Sequence, residues 1–296
     1  MNSSVALPRS PSKFDDVMTL SKVRVNTLVV ATAGAGYYIA GRGQGPIDAA
    51  ALVATCLGTA LVAAGAAAIN QVSERDVDRL MHRTRSRPVP AERMSVPQAA
   101  GIASVMTVAG LGILWSTSNL LAAAVALVTF VSYAYVYTPL KRTTSLSTIV
   151  GAVPGALPPL IGWAAAQGTL RDPAPWALFM IGFLWQLPHI IAVGWMYRED
   201  YARAGLPVLA SLDRTGGLSG RQSVVWSATL IPFSLLPAAL HLCGPMYVTG
   251  AVILGLLQFW MAVQFARDRS FANARRLFYA TLIYLPLLWI LMAVGR

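Results

Sequence analysis

The sequence predicts an all-α integral membrane protein, with nine transmembrane helices bundled around a central cavity and cytoplasmic loops capping the site. Three observations predict it. Of 296 residues, 56% are hydrophobic and only 12% charged, and the mean hydropathy is +0.58. A soluble domain carries about 25% charged residues. Nine apolar segments are long enough to cross a bilayer. The basic residues between them fall almost entirely on one side.

The predicted spans are 23–40, 49–69, 97–115, 119–138, 146–166, 175–196, 223–242, 245–265 and 277–294. Several are rich in Gly and Ala, as expected where membrane helices pack closely. With nine spans, 20 of the 23 Lys and Arg lie on one side, from Arg9, Lys13, Lys22 and Arg24 to Arg267, Arg269, Arg275 and Arg276. Only Arg42, Arg171 and Arg296 lie on the other. The positive-inside rule then puts the N-terminus in the cytoplasm and the C-terminus outside. This distribution accounts for the net charge of +11, so nucleic acid is not an expected partner. The first 20 residues show no secretory signal, and Asp15 and Asp16 do not suit an acid-poor transit peptide. The expected address is a bacterial plasma (inner) membrane, with membrane lipid around the chain. Cys56 and Cys243 sit in apolar segments and give neither a disulfide framework nor a metal-ligand spacing.

Residues 1–22 form a cytoplasmic tail and 23–296 a single polytopic domain. Its two longest cytoplasmic loops follow the second and the sixth spans, each opening on a charged run. That spacing suggests a pseudo-repeat of four-helix units plus a last helix, with the loops facing each other over one cavity.

The first of those loops organises the functional reading. Asn70, Glu74 and Asp78 are spaced i, i+4, i+8 where the second span should leave the hydrocarbon. On a helix they share one face, about 12 Å end to end. Such oxygen ligands suit Mg²⁺, which binds through few carboxylates plus substrate phosphates. Arg79, Arg83 and Arg87 follow, and guanidinium forks match phosphate oxygens. A lipid diphosphate fits this pattern; a solvated loop that sets orientation and solubility fits it as well.

Further along, Tyr137-Thr-Pro-Leu-Lys141-Arg142 ends the fourth span, either as an interfacial anchor or with Lys141 reaching a phosphate. Gly151 to Trp163 packs three prolines and three glycines into one span, which must kink around a cavity or a packing contact. Gln186 and His189 are polar residues within the sixth span, and such groups tend to face an interior cavity. His189, near Trp185, is a structural hydrogen-bonding residue, a contact for a flat aromatic substrate, or a haem-iron ligand. Glu199 and Asp200 in the second loop could hold a second Mg²⁺ or stand in water. Arg24 with Asn26, and Arg275 with Arg276, are cations at the same membrane face, either anion-binding or topological.

The stretch Asn70 to Pro90 resembles the first acidic motif of the UbiA-type membrane prenyltransferases. Within that family the chain looks like the haem-farnesylating branch. Carrying this are Tyr137-Thr-Pro-Leu-Lys-Arg, Gly151 to Trp163, Trp185-Gln-Leu-Pro-His189, Tyr197-Arg-Glu-Asp-Tyr-Ala-Arg-Ala-Gly-Leu-Pro207 and Ala274-Arg-Arg-Leu-Phe278. Two departures stand out: Glu74 where Asp is usual, and Gln71 where many relatives have Asp. The resemblance implies a nine-helix bundle with a lipid-open cavity, farnesyl diphosphate and haem B as substrates, and haem O and diphosphate as products. It implies Mg²⁺ on Asn70, Glu74 and Asp78, with Glu199 and Asp200 as secondary ligands. Diphosphate would rest on Arg83, Arg87 and Lys141. Tyr133, Tyr137, Trp163 and Trp185 would wall a dry pocket, with His189 and Tyr197 beside the haem. A downstream haem-modifying enzyme is a candidate partner. Three rivals remain: a relative with a quinone or chlorophyll-precursor acceptor, a transporter gated by these loops, and a non-catalytic haem-handling partner.

Overall fold

The computed structural model describes residues 11–295. Arg9 and Arg296, counted in the charge asymmetry, lie outside the described residues, as does the first part of the predicted tail. In chain order the helices are α1 (Lys13–Leu20), α2 (Val23–Gly41), α3 (Ala49–Ser73), α4 (Arg75–Leu80), α5 (Val96–Thr117), α6 (Leu120–Val131), α7 (Thr138–Leu140), α8 (Ser147–Ala156), α9 (Pro158–Gln167), α10 (Pro173–Met196), α11 (Arg198–Arg203), α12 (Leu209–Leu212), α13 (Gly217–Ser234), α14 (Leu236–Ala239), α15 (Pro245–Arg267) and α16 (Phe271–Val294). No strand is present among the described residues.

Every predicted span is helical, with ends that shift by a turn or two. Length and composition bear out eight of the nine expected spans and leave the first of them, α2, unconfirmed. Among the described residues eight rods are long and apolar enough to cross a membrane: α3, α5, α6 with α7, α8 with α9, α10, α13 with α14, α15 and α16. Helix α2 falls short of that measure, because Arg24 and Asn26 stand near its start and glycines and tyrosines occupy its second half. It nevertheless packs inside the bundle, against α9 and α3.

Glycine makes the α2–α9 crossing close. A Cβ added at Gly162 would lie 2.6 Å from the Tyr37 backbone nitrogen and nearer still to the Ala33 carbonyl; one at Gly36 would run into Pro159. The proline-rich span divides at Leu157, between α8 and α9. The fourth span is interrupted instead by a π-helical turn, Ser132–Tyr137. There Thr138 Oγ1 donates back to the Tyr133 carbonyl (2.8 Å), drawing the wider turn together. The main apolar core joins α10, α13, α15 and α16 through Leu178, Ile181, Leu230, Tyr247, Tyr284 and Leu288.

The polar segments close one end. Arg93 grips Asp16 through Nε and Nη2 (3.0 and 2.8 Å), tying the loop after α4 to α1. Gln71 Nε2 donates to the carbonyls of Thr19 and Leu20 (2.9 and 3.1 Å) at the end of α1. Those carbonyls need a donor, which a carboxylate at position 71 could not supply.

Candidate active site

Helix α3 ends at Ser73, and Glu74 is the joint between α3 and α4, with φ −94° and ψ 4°. The expected straight helix through Asn70, Glu74 and Asp78 is therefore bent at its middle residue. Its ladder survives the bend: Glu74 N–H donates to the Asn70 carbonyl (2.9 Å) and Asp78 N–H to the Glu74 carbonyl (2.8 Å). The three side chains stay on one face. They are only 2%, 4% and 0% exposed, so the solvated-loop reading fails. All three line one cavity of about 290 Å³.

A cation meets each of them. Lys22 Nζ donates to Asn70 Oδ1 at 2.6 Å. Lys141 Nζ lies 3.1 Å from Glu74 Oε1, and Arg87 Nη1 lies 2.7 Å from Asp78 Oδ2. Burial alone would raise the Glu74 carboxyl, but Lys141, Lys22 and Arg87 outweigh it and hold the group below its ordinary range. Burial likewise opposes the charge on Lys141, and Glu74 overrides it, raising the ammonium above its ordinary value. Among the described residues Lys22 has the Asn70 amide and the Tyr133 hydroxyl (3.4 Å) but no carboxylate for a close partner; burial, aided by repulsion from Arg87, pulls its ammonium down to about 7.

The donor set suits a hard divalent cation. Asp78 Oδ1 is a buried carboxylate oxygen with no hydrogen-bond partner. Such an orphan is rare and calls for a ligand. Among the described residues no group of three or more His, Cys, Asp and Glu gathers to cage a metal. Two carboxylates and an amide oxygen are what a phosphate-bridged Mg²⁺ needs, because the phosphates complete its shell. The residues fit.

The cavity also receives Arg83, Tyr133, Tyr137 and His189. Tyr133 and Tyr137 lie against each other, with ring centroids 5.5 Å apart. Tyr137 fits only because residue 151 is glycine; a Cβ there would strike its ring. Trp185 does not line the cavity. It stacks behind His189 with centroids 5.2 Å apart.

Other predicted residues are placed elsewhere. Trp163 joins the apolar core with Ile39 and Ala40 rather than the cavity wall. The proline-rich break fixes a kink but not the rotation of the segment beyond it. Glu199, Asp200 and Tyr197 line a separate cavity with His82, Arg198 and Arg269. Asp200 is engaged by Arg203 (2.7 Å) and by the backbone N–H of Arg83 (3.2 Å). The second acidic pair is thus not brought to the first.

Sequence reasoning missed Lys22, counted only as a topological charge, and Tyr201, given no role of its own within the Tyr197 to Pro207 motif; both line the cavity. Lys22 has φ +46°, a left-handed joint between α1 and α2 that aims its side chain inward. Thr138, which accepts from Asn70 Nδ2 (3.2 Å), was also missed. A second, apolar cleft of about 100 Å³ shares Lys22, Val25 and Tyr133 with the first and is walled by residues such as Val29, Val62, Ala66 and Phe130.

Known proteins resemble this chain over nearly its full length. A protein from Solibacter usitatus named protoheme IX farnesyltransferase is 42% identical over 289 residues, covering 95% of this chain and 98% of the relative. One of the same name from Opitutus terrae is 40% identical over 293 residues, covering 98% and 97%. Among solved structures, one of digeranylgeranylglyceryl phosphate synthase superposes with a TM-score of 0.77 at 17% identity, covering 96% of this chain and 98% of that one. A UbiA homolog from Archaeoglobus fulgidus, solved with GPP and Mg²⁺, superposes with a TM-score of 0.65 at 14% identity, covering 94% and 100%. The structural likenesses show the shared fold. Residues 28–290 match the model of one family, and with these near-full-length relatives the membrane-spanning chain belongs to the UbiA prenyltransferase family.

Proposed function

We propose that this chain transfers the farnesyl group of farnesyl diphosphate to a vinyl group of haem B, giving haem O and diphosphate. The observation that carries it is the 42% identity, over 95% of the chain, to a protein named for that reaction. The site's chemistry agrees. Oxygen ligands and cations share one buried cavity, and an apolar cleft continues from it. The capped end faces the cytoplasm of a bacterial plasma membrane, because the basic loops gather there.

In this reading Asn70, Glu74 and Asp78 would hold Mg²⁺, while Arg83, Arg87, Lys141 and Lys22 would receive the diphosphate. Mg²⁺ supplies Lewis-acid neutralisation of the leaving group. The farnesyl tail lies in the apolar cleft. The allylic C–O bond breaks with both electrons leaving on diphosphate, whose charge the fixed cations stabilise. Tyr133 and Tyr137 shield the allylic cation from water. The vinyl π pair then bonds to the allylic carbon. The resulting cation beside the porphyrin ring takes a water oxygen, and that water loses its proton. The product is the hydroxyethylfarnesyl group. Diphosphate departs, and haem O passes to a downstream haem-modifying enzyme. The test is to incubate purified protein with haem B, farnesyl diphosphate and Mg²⁺ and look for haem O by mass. Transfer to a phenolic acceptor instead of haem would overturn the assignment.

A further inference from the structure

We infer that His189 holds the haem iron through Nε2, and that Thr281 fits it for that role by fixing the imidazole tautomer. The inference rests on the haem-farnesylating reading above and adds the residue that positions the porphyrin.

The proton count around Thr281 carries it. Thr281 Oγ1 lies 2.6 Å from the Phe278 carbonyl oxygen and 2.9 Å from His189 Nδ1. A hydroxyl has one proton. Two oxygens 2.6 Å apart repel unless a proton lies between them, so the hydroxyl donates to Phe278. Its lone pair then faces His189, and Nδ1 must carry the imidazole proton. Nε2 is left with a lone pair. It makes no hydrogen bond among the described residues, it is not among the sealed polar atoms, and the ring lines the cavity. An imidazole that donates through one nitrogen and offers the other is the usual form of a metal-ligating histidine.

The ring is also held still. Trp185 stacks on one neighbour position at 5.2 Å and Phe278 packs at 5.0 Å. Trp185 is in turn fixed by its Nε1–H, which donates to the Thr281 carbonyl (2.7 Å). Thr281 therefore anchors both rings, and it is fully buried. Among the described residues no protein group takes the second nitrogen, so a group bound in the cavity can reach it. Its place suits a large flat substrate: His189 precedes the end of α10 at Met196 by seven residues, about 10 Å of helix.

The test is haem B binding to the purified protein without farnesyl diphosphate, followed by absorption and electron paramagnetic resonance. The wild type is expected to show an imidazole-ligated spectrum. His189→Gly should lose that signature and bind haem at least about tenfold more weakly, a difference of about 1.4 kcal/mol. Added imidazole should restore the spectrum. Thr281→Val, which cannot accept from Nδ1, should weaken ligation with His189 still present, and Thr281→Ser should restore it. Farnesyl diphosphate binding, measured in parallel, reports that each variant is folded. A His189→Gly protein that binds haem with the wild-type spectrum and affinity overturns the inference and leaves the functional reading standing. A wild type that neither binds nor converts haem B overturns the functional reading itself.

Discussion

Asp78→Asn separates a metal ligand from a structural carboxylate. Asp78 is fully buried; Oδ2 pairs with Arg87 at 2.7 Å and Oδ1 is free. Asn keeps the volume and one acceptor. That acceptor turns to Arg87, because the amide NH₂ would face a guanidinium, and the NH₂ then occupies the place of the free oxygen. A charge-assisted bond becomes a weaker one and the buried NH₂ gains no acceptor, costing about 1–3 kcal/mol of stability, so the protein still folds. The reaction suffers more. Losing one preorganised electrostatic contact costs about 2.7–4 kcal/mol in the transition state, or about 10²–10³-fold in kcat. The assay is haem O formation by mass across a Mg²⁺ titration, with Asp76→Asn as the control. Asp76 sits two residues away with a 67% exposed side chain, paired only with Arg75. The expected result is a kcat lowered about 100- to 1000-fold and a raised Mg²⁺ requirement in Asp78→Asn alone. Wild-type turnover in Asp78→Asn, or equal damage in Asp76→Asn, would refute the reasoning.

Lys141→Met should strip Glu74 of its nearest counter-charge within the protein interior, destabilising the apo form by about 3–5 kcal/mol; melting curves should show Mg²⁺ recovering part of the loss. Glu199→Gln should leave turnover within about twofold, because Glu199 is exposed and lines the other cavity; a collapse of activity would return it to the metal site. Gly162→Ala should push α2 from α9 and cost about 1–3 kcal/mol, read as a lower melting temperature, with a wild-type melt counting against the close crossing. Mg²⁺ alone should bind weakly, since a cation meets each ligand side chain, and inorganic diphosphate should raise its affinity by tenfold or more, about 1.4 kcal/mol of coupling; calorimetry with and without diphosphate measures this.

Bilayer thickness made the helices legible. An apolar run must be about 20 residues long to span, so composition alone places it. The oxygen face was legible because it is local: i, i+4, i+8 spacing puts Asn70, Glu74 and Asp78 together whatever the rest of the fold does, even across the joint at Glu74. Lys22 was not legible, because its partner Asn70 is 48 residues away and its inward aim depends on a left-handed backbone. Trp163 and Trp185 were misplaced for a related reason. An aromatic residue in an apolar segment carries no signal of which way it faces, and both turned inward from the cavity. The π turn at Ser132–Tyr137 is likewise invisible to periodicity, since one extra residue in a turn leaves composition unchanged.

The missed lysine changes how the cavity works. Two buried carboxylates at the edge of hydrocarbon cannot stand alone, since unpaired charge in such a place costs several kcal/mol. The chain answers with Lys141 on Glu74 and Arg87 on Asp78, and adds Lys22 on the uncharged Asn70. Acid pairing therefore explains Lys141 and Arg87 but leaves Lys22 without a counter-charge of its own. A cation buried beside an amide is poorly satisfied in the ligand-free protein and well satisfied by an incoming diphosphate. Its neighbour Tyr133 (3.4 Å from the Lys22 ammonium) also walls the apolar cleft. Lys22 thus stands where the polar cavity and the apolar cleft meet, which in the proposed reaction would be where a phosphate head joins an isoprenoid tail.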